Sequence, residues 1–113
     1  MLNNLRKSAR FPAHARVRIP KVFDGEALLK DLSITGCGIE STVYLDVKPG
    51  IRYSMEIIPE KSSDVDKFNL EVESRWVRAQ DYSCEIGFSI VASPKGKHFQ
   101  RYVDYLSFRS TAE

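Results

Sequence analysis

The sequence predicts a mostly β fold: a six-stranded antiparallel β-barrel with a C-terminal α-helix. Three observations carry that expectation. Short runs of alternating apolar and polar residues recur along the chain, and turn residues separate them at close intervals. Helical spacing of apolar residues emerges only near the C-terminus.

Ala15–Phe23 is the first expected strand, and Asp24-Gly25 is a two-residue hairpin signal leading into Glu26–Ser33. Turn chemistry in Ser33-Ile34-Thr35-Gly36-Cys37-Gly38 precedes a strand over Gly38–Thr42, and Lys48-Pro49-Gly50 is a further turn. In Ile51–Pro59, Tyr53, Met55 and Ile57 alternate with Arg52, Ser54 and Glu56. After a polar loop, Glu60–Asp66, the residues Phe68, Leu70 and Val72 start a strand that continues towards Trp76-Val77-Arg78. Tyr82–Val91 is the last strand, with Cys84, Ile86, Phe88 and Ile90 on one face. Closing such a sheet removes edges that would otherwise pair with other chains. Ser93-Pro94 then reads as an N-cap followed by an N1 proline. Beyond it, Phe99, Tyr102, Val103 and Leu106 fall at i, i+3, i+4 and i+7, one apolar helix face that packs on or plugs the barrel.

A chain of 113 residues is one small domain with a single modest core. It contains no apolar run near the roughly 18 residues of a membrane span. Its start, MLNNLRKSARF, lacks the apolar region of a secretory signal. These features imply a cytoplasmic protein, or a domain facing the cytoplasm, with no membrane insertion. Cys37 and Cys84 have neither CxxC nor zinc-type spacing and read as small buried hydrophobes, which leaves a disulfide between them open.

Charge is unevenly spread. Residues 1–23 hold six bases and no acid, whereas the remainder holds eleven bases and fifteen acids. A basic arm on a mildly acidic body suits an anionic partner at the arm, not nucleic acid coating the whole surface. Residues 1–14 are therefore expected to be a ligand-binding arm, and residues 15–113 the barrel with its helix.

Catalysis has no positive signal. HExxH, GxSxG and P-loop patterns are missing, and His14 and His98 read as surface or packing residues. Two recognition motifs remain. Arg6-Lys7-Ser8-Ala9-Arg10 is an RxxxR, which puts two planar guanidinium forks on one side of the arm. Such forks suit phosphate and guanine edges, and their faces stack on rings. Asp31-Leu32-Ser33-Ile34-Thr35-Gly36 is a DxSxxG at a strand end. Alternation puts Asp31 and Ser33 on one sheet face, with Leu32 and Ile34 towards the core. The carboxylate can accept hydrogen bonds from the N1 and N2 donors of guanine, with a hydroxyl beside it. Gly36 allows close approach and positive φ. Taken alone, the same residues could simply close a hairpin.

An RxxxR arm followed about 20 residues later by DxSxxG resembles the PilZ domain family, and the likeness extends over nearly the whole chain. Ser33–Gly38 is similar to that family's Ser-x-Gly-Gly turn, and Asp46-Val47-Lys48-Pro49-Gly50 to its following loop. Trp76-Val77-Arg78 resembles its hydrophobic-Val-Arg strand end, and Glu85-Ile86-Gly87-Phe88 its final strand. Thr35 in place of the first glycine and Ile90 in place of a frequent Phe depart from the pattern without touching the ligand signature. The resemblance implies a barrel that binds cyclic di-GMP at its surface, with the arm folding over the ligand. By position, Arg6 and Arg10 would hold guanine edges and phosphates, and Asp31, Ser33 and Gly36 would line the barrel side.

Trp76, Arg78 and Lys7 are further candidates. Parity with Phe68, Leu70 and Val72 directs Trp76 inward, whereas a β-bulge would turn it outward beside Arg78, where it could stack on a base. No metal or cofactor is expected apart from the ligand. A receptor of this kind acts through a protein partner, which the sequence does not identify. The competing classes are a small-barrel module for single-stranded nucleic acid and a ligand-independent protein-interaction domain. The first wants several aromatics exposed on one face, the second usually lacks the arginines.

Overall fold

The computed structural model describes residues 9–93 and 97–112. Its strands are β1 (Phe11–Pro12), β2 (Arg16–Arg18), β3 (Ala27–Leu32), β4 (Gly36–Ser41), β5 (Arg52–Ile58), β6 (Phe68–Ala79) and β7 (Cys84–Ala92). One helix, α1 (His98–Ala112), follows. All pairings are antiparallel, and the order β3-β2-β5-β6-β7-β4 closes through a β4–β3 pairing. That is the expected six-stranded barrel. β1 lengthens the edge of β2 against β3, with Phe11 opposite Leu32 and Pro12 opposite Asp31.

Inward positions follow the period of two. Val17, Ala27, Leu29, Leu32, Cys37, Ile39, Met55, Ile57, Leu70, Val72, Ile86 and Phe88 are all buried. Each fully buried aliphatic side chain contributes roughly 1.5–3 kcal/mol, so this alternation decides which face of every strand turns in. Cys37 and Cys84 are buried free thiols within that core. Burial, with Asp31 nearby, pushes the Cys37 thiol up to about 12.

Three local expectations change. The first strand ends at Arg18 because the amides of Val22 and Phe23 both bond to the Ile19 carbonyl, and Pro20 brings no amide of its own. A loop over residues 19–26 therefore replaces the two-residue Asp24-Gly25 turn. The polar loop after β5 contains a 3₁₀ turn, Lys61–Ser63, held by Ser63 Oγ donating to the Glu60 carbonyl at 2.8 Å. The helix begins at His98, so Ser93 is not its cap, and Pro94 lies outside the described residues.

The helix does bury the expected face. Tyr102, Val103 and Leu106 are buried, and Phe99 and Tyr102 pack on Phe68 with ring centroids 6.0 and 6.1 Å away. Its last turn reaches β1, where Arg109 Nη2 donates to the Pro12 carbonyl at 2.8 Å. The Lys48-Pro49-Gly50 turn forms as expected. Gly50 has φ +86, and the buried Ser74 hydroxyl donates to the Lys48 carbonyl at 2.5 Å. No helix among the described residues is long and apolar enough to cross a membrane.

Candidate ligand-binding site

Register builds the site. Pro12, Asp31, Gly38, Gly87 and Trp76 are successive cross-strand partners from β1 through β3, β4 and β7 to β6. Directly opposed residues share a sheet face. Asp31 and Trp76 therefore stand on one outer surface, with two glycines between them as a floor. The Asp31 carboxylate leans over Gly38, where an added Cβ would lie 3.2 Å from Oδ1. The Trp76 indole lies over Gly87, where a Cβ would collide with Nε1 and Cε2. Gly87 is needed for the space it leaves, and Gly38 keeps the Asp31 contact unstrained.

Trp76 reaches this surface because of a bulge. The β6–β7 register shifts between Ser74 and Trp76, with Arg75 as the extra residue. Before the shift, Phe68, Leu70, Val72 and Ser74 face inward; after it, Trp76 is 45% exposed. Of the two readings the sequence left open, the outward one holds. Arg78 lies over the indole, its guanidinium carbon 5.2 Å from the ring centroid.

The arm brings Arg10 to the other end of the row. Its Nη1 donates to Asp31 Oδ1 at 2.9 Å, and both side chains remain more than a third exposed. Its Nη2 lies 3.1 Å from the position a Cβ on Gly36 would take, and that Cβ would also meet the Phe88 carbonyl at 2.8 Å. Gly36 thus serves close approach, and its φ is not among the positive ones. Arg10, Asp31 and Gly36 lie together, whereas Arg6 and Lys7 lie outside the described residues.

Ser33 is a correction. It was expected beside Asp31 on the outer face, yet it is 1% exposed. The strand ends at Leu32 and the chain turns, so two-residue alternation stops before Ser33. Its hydroxyl accepts the amides of Thr35 and Gly36 at 3.1 Å each, and its own amide donates to the Gly36 carbonyl. The same turn leaves Ile34, expected in the core, 51% exposed.

Sequence reasoning missed Gly38, Lys30 and Glu85, and took Gly87 only as a fold signal. Glu85 takes a hydrogen bond from Lys30 Nζ on one oxygen at 3.1 Å and from Arg78 Nη1 on the other at 3.3 Å. This string crosses from β3 to β6 along one side of the glycine floor. The hydrogen bond to Glu85 raises the Lys30 pKa. No signal in one sequence gives these contacts, because they depend on register. The described residues contain no group of three or more His, Cys, Asp or Glu placed to hold a metal ion. A depression of about 760 Å³ beside Lys61, Asp64 and His98 contains none of the motif residues. Chemistry, not depth, selects the row from Arg10 to Trp76.

Neither a family model nor a curated protein matches the sequence. Solved structures do. The chain superposes on the inhibitor of motility MotI/DgrA of Bacillus subtilis with TM-score 0.80 at 15% identity, over 96% of this chain and 52% of that one. It superposes on the PilZ domain of Escherichia coli YcgR, solved with c-di-GMP, with TM-score 0.70 at 15% identity, over 95% of both chains. YcgR of Escherichia coli in complex with c-di-GMP gives TM-score 0.66 at 15% identity, over 95% of this chain and 47% of that one. The chain therefore has the PilZ-domain fold. It spans about half the length of the Bacillus inhibitor and nearly all of the isolated YcgR domain.

Proposed function

We propose that this chain is a receptor for cyclic di-GMP, and a binding module instead of an enzyme. One observation carries the reading: an arginine from the arm, a carboxylate and an exposed indole share one face across a floor of glycines. A guanine stacked near Trp76 would turn its N1 and N2 edge towards Asp31, and Arg10 would meet its other edge or a phosphate. Arg6 is assigned the second guanidinium, four residues earlier on the arm. Ser33 acts through the turn that presents Gly36. Two neighbours in fold were solved with this ligand, which supports the choice of dinucleotide. A cytoplasmic setting belongs to the same reading.

Asp31→Ala tests the assignment of the guanine reader. Binding of cyclic di-GMP is expected to weaken, and its advantage over cyclic di-AMP to shrink, in a competition between the two. An unchanged advantage would return Asp31 to hairpin closure.

The arm, residues 1–14, is proposed to change conformation on binding and so to signal to a protein partner. β1 supports a route outwards, since Pro12 neighbours Asp31 on one side and Arg109 of α1 on the other. Any backbone that the ligand orders beyond β1 costs on the order of 1 kcal/mol per residue, which ligand contacts must offset. Amide hydrogen exchange over residues 2–10 is expected to slow when cyclic di-GMP is added. Equal rates in both states would leave a static site with no switch.

A further inference from the structure

We propose that Glu85 is a positioning residue for the stacking end of the site: it holds Arg78 against Trp76, so that the indole and guanidinium form a platform before any base arrives. The inference rests on the proposed base stacking at Trp76, but its first test does not need a ligand.

Glu85 stands on β7 between the two cations. Its partner across β4 is Glu40, its partner across β6 is Arg78, and Gly87, under the indole, lies two residues further along the same face. The side chain is only one-fifth exposed, compared with 47% for Lys30 and 61% for Arg78. The carboxylate is thus the fixed part of the string and the cations are its mobile ends. Lys30 is the extra residue of a β3 bulge between Leu29 and Asp31, which lets its chain reach past β4 to Glu85. One oxygen is engaged by Lys30 and the other faces Arg78 Nη1. An arginine has several rotatable bonds, and a single exposed cation–π contact holds it weakly. A second, charge-assisted contact to a fixed acceptor restricts it to the arc in which it lies over Trp76. Trp76 in turn has no Cβ beneath it at Gly87, so the indole lies close against bare backbone.

Trp76 is the chain's one tryptophan, so its fluorescence reports on this site alone. In Glu85→Gln the charge is lost while size and shape are kept. Without ligand, its emission is expected to shift and acrylamide quenching to rise, and Arg78→Met should reproduce both changes. With Arg78→Met already present, Glu85→Gln should add nothing, because its effect passes through that cation. Cyclic di-GMP affinity should fall about fivefold in either single variant, the scale of one exposed cation–π contact. Emission and quenching equal to wild type in a folded Glu85→Gln protein would overturn the proposal. So would tighter binding by that variant, or full additivity with Arg78→Met. If the wild-type protein fails to bind cyclic di-GMP at all, the proposed function falls, and the ligand-free fluorescence still decides the role of Glu85.

Discussion

Arg10→Ala is expected to raise the dissociation constant for cyclic di-GMP at least a hundredfold while leaving the barrel folded. The guanidinium bonds to Asp31 and lies against Gly36, so every ligand group placed there meets it. Charge-assisted hydrogen bonds carry roughly 1.5–3 kcal/mol each, and two of them amount to more than two factors of ten. The free protein loses little by comparison. Its Arg10–Asp31 pair is more than a third exposed on both sides, and exposed pairs contribute about 0–1 kcal/mol at most. Arg10→Lys should recover only a small part of the affinity, since an ammonium cannot reproduce the planar fork. Calorimetric titration of the two variants, with melting curves as controls, measures both effects. Binding by Arg10→Ala within about twofold of wild type would remove Arg10 from the site.

Glu60→Ala is expected to be the most destabilising of the polar substitutions, by about 2–4 kcal/mol. Glu60 follows β5, and its carboxylate serves two elements. Oε1 accepts from the buried Tyr102 hydroxyl at 2.6 Å, and Oε2 from Arg109 Nη1 at 2.9 Å. Arg109 also holds the Pro12 carbonyl, so one acid ties α1 to β5 and, through the guanidinium, to β1. Its removal strands a phenol in the core and leaves a half-buried cation without its carboxylate. Burial, and then the bond to Glu60, raise the Tyr102 pKa in the fold. The raised value means that the neutral phenol's contribution is complete below pH about 10 and is lost as pH rises above it. In a domain of this size the melting temperature should drop by about 10 °C or more. Glu60→Gln, which keeps an acceptor for Tyr102 but not the charge, should fall between. A loss under about 0.5 kcal/mol in chemical denaturation would mean that the helix is held by its apolar face alone.

The barrel was legible because its signal is local. Alternation around Met55, Leu70 and Ile86 needs only a period of two, and the helix only the spacing of Tyr102, Val103 and Leu106. The Asp31 and Gly36 positions were legible as a motif. What failed were places where local parity breaks. Ser33 and Ile34 lie just past a strand end, and Ile19-Pro20 stops β2 early by a turn that two-residue alternation cannot register. Trp76 depended on whether Arg75 was an extra residue in β6, which only the pairing with β7 decides. The glycine floor and the Lys30–Glu85–Arg78 string were invisible for a deeper reason. Their members lie far apart in sequence and meet through register, and no single segment carries a trace of its neighbours.

The most direct test is a titration of the purified protein with cyclic di-GMP, GMP, cyclic di-AMP and a short single-stranded oligonucleotide, followed by calorimetry and Trp76 fluorescence together. Saturable binding of cyclic di-GMP is expected, with a change in Trp76 emission and an affinity at least tenfold above each of the other three. Equal or tighter binding of the oligonucleotide, or cyclic di-GMP binding that leaves Trp76 emission unmoved, would contradict the site proposed across Asp31, Gly38, Gly87 and Trp76.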